Sequence, residues 1–131
     1  MNDLNNPCFF CDWNNKSKHT VLRESSLFYV RLDNKPVTVG HVEIVPKRHV
    51  TSIADLTQEE WLDIHQLAKD FVKHSLANNF CDGFTIGINE GEAAGRAIHH
   101  FHLHLIPRVW GDVANPRGGI RNIIPGKGDY R

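Results

Sequence analysis

Four histidines fall within six positions, at His99, His100, His102 and His104, interleaved with Phe101, Leu103 and Leu105. Alternation this strict reads as a β-strand over residues 98–108. Side chains on a strand point to opposite faces in turn, so His100, His102 and His104 share one face. His99, Phe101, Leu103 and Leu105 share the other, which anchors the strand in a core. The imidazoles then stand about 6.5–7 Å apart along the strand, and Pro107 is expected to end the ladder. Three functions suit such a row: a solvated polar face, a metal site using two or three imidazoles, or nucleophilic catalysis at phosphorus. In the last, one ring nitrogen attacks while its neighbours hold phosphate oxygens.

The remaining segments supply a scaffold for that strand. Residues 19–24 and 27–32 are β-branched, aromatic or alternating and predict a hairpin turning at Glu24-Ser25-Ser26. A turn at Asp33-Asn34-Lys35-Pro36 leads into a strand over residues 37–45. That strand carries Val37, Val39, His41, Glu43 and Val45 on one face, and the basic segment Pro46-Lys47-Arg48-His49 closes it as surface. Thr57 followed by Glu60 forms a capping box, so a helix follows. Trp61, Ile64, Ala68, Phe71, Val72 and Leu76 make its apolar stripe, and Asn78-Asn79 with Asp82-Gly83 is its exit. Residues 84–89 predict another strand with Phe84, Ile86 and Ile88 inward. The loop from Glu90 to Ala97 contains Gly91 and Gly95, whose backbone amides can approach phosphate oxygens. Residues 109–131 are rich in glycine and proline. They form either a mobile tail or an ordered loop that lays Arg117, Arg121 or Lys127 near an anion.

At 131 residues the chain has room for one core and reads as a single domain. Its charges balance to zero, with a pI near 7.1, so it lacks the broad basic field that nucleic-acid or anionic-membrane binding requires. A local phosphate site is compatible with that balance. There is no apolar run of bilayer length and no signal-like start, so a cytoplasmic location is expected. Cys8 and Cys11 have the spacing of a zinc knuckle or a redox pair. The turn-like Asp12-Trp13-Asn14-Asn15 after them suits metal better, and two partly buried thiols are the remaining alternative.

Three blocks together resemble the histidine-triad (HIT) family. They are residues 40–49, residues 89–95 with Asn89-Glu90-Gly91 and Ala94-Gly95, and residues 100–108. The ending, with Gly111-Asp112-Val113 and Pro116-Arg117-Gly118-Gly119, is similar to a bacterial-type branch described as dinucleoside polyphosphate hydrolases. The resemblance implies an α+β fold: an antiparallel sheet of about five strands with one long helix against it, paired as a homodimer. It implies nucleotidyl transfer or hydrolysis at an α-phosphate of a small nucleotide. His102 would be the nucleophile that forms a nucleotidyl-imidazole, and His104 and His41 would assist it or contact the phosphates. Asp33 would take the ribose hydroxyls, with Asn89, Gly95, Arg96 and His104 on the phosphate side. Arg31 falls near the expected base pocket. Within residues 1–18 the resemblance implies a zinc knuckle, a structural zinc being held by Cys8, Cys11, His49 and His100. Two thiolates and two imidazoles suit a closed tetrahedral site. Arg96-Ala97 stands where glutamine followed by serine or threonine is commoner. A charge that suits a longer anionic chain is thereby gained and a hydroxyl lost. A nucleotide-binding or sensing module with little turnover is the alternative function.

Overall fold

The apolar alternation builds a sheet that is covered on both faces at its centre. In the computed structural model, which describes residues 8–130, the strands are β1 (Val21–Glu24), β2 (Phe28–Leu32), β3 (Val42–Pro46), β4 (Gly83–Gly87) and β5 (Leu103–Arg108). They form one sheet in the order β1-β2-β3-β5-β4, with every neighbouring pair antiparallel. Residues 1–7 of the expected knuckle lie outside the described residues. Helix α1 (Gln58–Ala77) packs on one face, where Ile64 and Leu67 meet Phe28, Val30, Val42, Ile44, Phe101, Leu103 and Leu105. On the opposite face, Tyr29 and Val45 pack with Cys8 and Phe10 of the N-terminal segment. Side chains of alternate parity on β2 and β3 therefore serve two cores, and both strands are buried almost throughout.

The capping box forms as read. The Glu60 amide donates to Thr57 Oγ1 at 3.0 Å, and the Thr57 amide donates to the Glu60 carboxylate at 2.9 Å. Glu60 also accepts from Arg48 Nε and Nη2, at 3.1 and 2.7 Å, which ties the helix start to the segment after β3. Thr57→Ala is expected to cost about 1 kcal/mol and lower Tm by about 4 °C in calorimetry. An unchanged Tm would show that the cap contributes nothing here.

Four expectations are corrected. The buried stripe of helix α1 runs the length of its 20 residues through Glu60, Ile64, Leu67 and Ser75. Trp61 and Leu76 each stand about 100° round the helix from a buried neighbour and are exposed, while Leu67 joins the stripe. The strand expected over residues 37–45 begins only at Val42. Val37 and Val39 are exposed because a turn intervenes, with the His41 amide donating to the Thr38 carbonyl at 3.2 Å. Gly40 sits there at φ +87°, and a Cβ on it would lie 2.7 Å from the Phe80 ring. The histidine strand begins only at Leu103, since the Phe101 amide bonds the Val50 carbonyl at 2.7 Å instead of joining a ladder. Pro107 lies inside β5, opposite Phe84, rather than ending it. Its carbonyl accepts from Thr38 Oγ1 at 2.7 Å on the side where β3 has already ended, so its missing N–H removes no ladder bond.

Ile86 also differs, being exposed on the edge strand β4 while Phe84 packs edge-on against Phe71. The glycine-rich C-terminal residues turn back on themselves. A Cβ on Gly118 would lie 1.9 Å from the Gly128 carbonyl oxygen, so this loop closes tightly on itself. Arg117 and Arg121 lie over the Tyr130 ring at 5.1 and 4.8 Å. Among the described residues no helix is long and apolar enough to cross a membrane.

Candidate functional site

Two centres share the face of the sheet opposite α1, and His100 joins them. The first is a cluster of four ligand-type groups. A short 3-10 helix (Phe9–Asp12) presents the cysteines, His49 follows β3, and His100 precedes β5. His100 Nδ1 lies 3.2 Å from Cys8 Sγ, 3.5 Å from Cys11 Sγ and 3.1 Å from His49 Nδ1, and Cys11 Sγ lies 3.3 Å from His49 Nδ1. Zinc bonded at about 2.0–2.3 Å in a tetrahedron would hold its ligand atoms at roughly these separations. His100 Nε2 lies 2.8 Å from the Pro46 carbonyl and donates to it, which leaves the lone pair on Nδ1, aimed at the cysteines. Desolvation and the neighbouring Cys8 thiol push Cys11 up to about 12, so a thiolate here calls for a cation beside it. The donor set therefore fits zinc.

The second centre is built from His41, His102 and His104, and its hydrogen bonds assign each tautomer. The His102 Nδ1–H donates to the His100 carbonyl at 2.8 Å, so Nε2 of His102 carries a lone pair. The Val37 amide donates to His41 Nδ1 at 3.1 Å, which places the His41 proton on Nε2. That proton is donated to His104 Nδ1 at 2.9 Å, so the His104 proton sits on Nε2. The His102 and His104 rings stand 5.0 Å apart, edge to face. Burial lowers all three, with Arg96 acting in the same direction on His102 and Asp33 opposing it on His41. Burial and the two neighbouring imidazoles bring His104 to about 4. The centre is therefore neutral near pH 7: one lone pair, and N–H groups beside it.

This arrangement separates the three readings of the histidine row. The side chains are not solvated, since His41, His100 and His102 are buried. Nor do the three imidazoles of the row converge on one metal, because His100 turns toward the cysteines while His102 and His104 face the other centre. Asp33, His41 and His104 do bring three ligand-type atoms together. His41, however, presents an N–H there rather than a lone pair.

Of the expected substrate residues, Asp33 lies at the centre, its Oδ2 3.5 Å from His41 Nε2 and its Oδ1 accepting the Lys35 amide at 2.8 Å. Asn89 and Gly95 lie on the exposed loop after β4, where Gly91 and Gly95 have φ of +90° and +97°. Arg96 folds inward, donating to the Thr51 carbonyl and lying 3.3 Å from His99 Nδ1, with its Nε buried and without a hydrogen bond. His99, expected on the apolar face, instead faces Glu92 at 3.3 Å.

A buried polar chain went unrecognised in the sequence. The His19 Nε2–H donates to the Phe9 carbonyl at 2.9 Å, His19 Nδ1 accepts from Arg31 Nε at 3.0 Å, and Arg31 Nη1 pairs with Glu43. The second Glu43 oxygen lies 4.0 Å from His104 Nδ1. Desolvation and the neighbouring Asp33 push Glu43 up to about 7, with Arg31 opposing. The available signal was alternation, which already set Glu43 on the same face as His41.

A pH test follows from His104, whose value in the fold, about 4, lies below the ordinary 6.5. Between these values the unfolded chain holds a proton that the folded chain does not. The stability His104 contributes is therefore complete above about pH 6.5 and lost as pH falls toward about 4. His104→Gln is expected to take up roughly one proton fewer per chain on unfolding near pH 5. An unchanged slope of Tm against pH would contradict this.

Comparison with known proteins places these two centres in context. The HIT domain family profile matches residues 14–110. The chain is 35% identical over 102 residues to a bis(5'-adenosyl)-triphosphatase of Dictyostelium discoideum, covering 72% of this chain and 68% of that protein. It is 32% identical over 96 residues to an AP-4-A phosphorylase of Mycobacterium tuberculosis, covering 72% of this chain and 49% of the relative. Among solved structures, a zinc-bound histidine triad family protein from Mycobacterium smegmatis superposes with a TM-score of 0.71 at 29% identity, covering 82% of this chain and 79% of that one.

Proposed function

The chain belongs to the HIT-domain family, and from that membership and the order of its imidazoles we propose that it cleaves a dinucleoside polyphosphate or related nucleotide at the α-phosphate through His102. The supporting observation is the bond from His102 Nδ1–H to the His100 carbonyl, which leaves Nε2 as a lone pair without prior deprotonation. Nε2 attacks the α-phosphorus. The N–P bond forms as the bond to the bridging oxygen breaks, and the leaving phosphate departs with that electron pair. His104 Nε2–H donates to a phosphoryl oxygen, Arg96 supports the remaining charge beside Gly95, whose missing side chain leaves the phosphates room, and Asp33 takes the ribose hydroxyls. Water then attacks phosphorus and the electron pair returns to Nε2. The water proton passes to solvent as the monophosphate ionises.

Cys8, Cys11, His49 and His100 would hold a structural zinc, which supplies a cross-link rather than a reactive group. Its role here is to fix His100, whose carbonyl orients His102. The protein is taken to act as a cytoplasmic homodimer on small nucleotides, with neither nucleic acid nor membrane as partner.

The test is a single-turnover reaction with diadenosine tetraphosphate, analysed by nucleotide chromatography and intact-protein mass spectrometry. AMP release with a transient adenylyl mass increment is the expected result. Saturable binding with neither product nor adduct under enzyme excess would replace the hydrolase reading with that of a nucleotide-binding module, for which Ala97 in place of a hydroxyl residue speaks.

A further inference from the structure

Resting on nucleotidyl transfer at His102, we infer that Glu43 is a positioning residue whose carboxylate, held from behind by Arg31, is the counter-charge for the cationic imidazole of the covalent intermediate. Because His102 Nδ1 keeps its proton against the His100 carbonyl, forming the N–P bond at Nε2 leaves a positive charge on the ring. Nothing in the first step removes that charge, and return of the electron pair to Nε2 in the second step discharges it. The fold must therefore carry one transient cation in a buried place, where an unbalanced charge is costly.

Glu43 lies where such a charge would be felt. It sits directly opposite His104 in the β3–β5 register. A carboxylate oxygen of Glu43 and one ring nitrogen each from His102 and His104 lie within 4.8 Å of one another. One oxygen pairs with Arg31 and the other faces His104 Nδ1 at 4.0 Å. Arg31 cannot swing away, because Nε is bonded to His19 Nδ1 at 3.0 Å, Nη2 lies 3.3 Å from the Lys18 carbonyl, and the Phe9 and Phe10 rings flank the guanidinium at 5.1 and 5.5 Å. His19 is itself oriented by the Phe9 carbonyl. The arginine thus opposes the rise that burial and the nearby Asp33 impose on the carboxylate, and it lies on the side away from the imidazoles. The ion pair presents its negative end to the triad. A pair kept only for stability has no need of that orientation, and buried pairs are often replaceable by apolar residues at no loss of stability.

Glu43→Gln keeps the shape and an acceptor for Arg31 while removing the charge. Arg31→Met with Glu43→Leu removes the pair but restores apolar packing. Measured at pH 8, above the raised value of Glu43, the single-turnover rate of adenylyl transfer is expected to fall about 30-fold in both variants. Dissociation constants for a non-hydrolysable dinucleotide analogue should stay within about twofold of wild type. Glu43→Asp should recover part of the rate. If Glu43 is merely structural, the Met/Leu variant recovers wild-type rate together with wild-type Tm, and the inference is overturned. If Glu43→Gln alone folds and keeps wild-type rate, it is overturned as well. Wild-type protein that forms no adenylyl adduct overturns this inference and the hydrolase reading together, which distinguishes that failure from the first two.

Discussion

His102→Ala is expected to lower turnover of diadenosine tetraphosphate by about 10⁴-fold or more while nucleotide binding stays within a few-fold of wild type. The size follows from what is removed. His102 Nε2 is the one ring nitrogen of the His41–His102–His104 centre whose lone pair is left unused by the hydrogen bonds described above. His104 offers an N–H on its outer nitrogen, and both nitrogens of His41 are engaged. No neighbour is poised to replace the nucleophile, so the remaining residues can only bind and polarise the phosphate. Alanine also leaves a gap beside Phe10, whose ring stands 4.8 Å from that of His102, and the variant will lose stability for that reason. His102→Asn is the companion variant, because its side-chain amide can still donate to the His100 carbonyl while lacking a nucleophilic nitrogen. Both should bind a non-hydrolysable analogue and form no adenylyl adduct. Turnover within tenfold of wild type in either folded variant would remove His102 from the mechanism.

Metal removal is expected to have the second largest effect, and on stability rather than on a chemical step. The four ligand-type residues come from the N-terminal 3-10 helix, the segment after β3 and the segment before β5, so a zinc among them would cross-link three distant parts of the chain. Purified protein should contain one zinc per chain. Cys8→Ser with Cys11→Ser, or exhaustive chelation, should lower Tm by roughly 10–15 °C, equivalent to about 3 kcal/mol in a domain of this size. Cys81→Ser lies outside the cluster and should leave the zinc content unchanged. Chelation that abolished turnover without moving Tm would contradict the structural role and revive a catalytic one. An unchanged Tm in a zinc-free double variant would show that packing of Phe10, Tyr29 and Val45 holds the knuckle without a metal.

What could be read directly was whatever local spacing dictates. The capping box at Thr57 and Glu60 required nothing beyond four consecutive residues. The hairpin of β1 and β2, the helix and the approximate positions of all five strands followed from periodicity, because burying one face of each element demands it. The family resemblance then supplied an antiparallel sheet of about five strands with one long helix against it, and the structure supplied the strand order. Errors clustered where the chain leaves its period. Val37 and Val39 alternate as a strand would, yet the turn at residues 38–41 exposes them, since hydrogen bonds to Thr38 and from Asp33 outweigh two apolar side chains. Alternation alone sets His100 on one row with His102 and His104, but its backbone departs from the strand before Leu103 and its ring joins Cys8, Cys11 and His49, the grouping that the family resemblance implies.

The sequence by itself determined which residue types were available and which segments were helix or strand, because those depend on neighbours within a few positions. Tertiary structure decided which way each imidazole faces and which nitrogen holds its proton. For His100 and His104 those properties depend on partners far along the chain, Cys8 and the Pro46 carbonyl for the first and His41 for the second. For His102 they depend on the His100 carbonyl two residues back, which the Cys/His cluster and the Pro46 carbonyl position. It also decided that Arg31 and Glu43, 12 residues apart, meet in the interior beside the triad. Charge pairing across strands follows from register, and register is set by the hydrophobic core on the other face of the sheet.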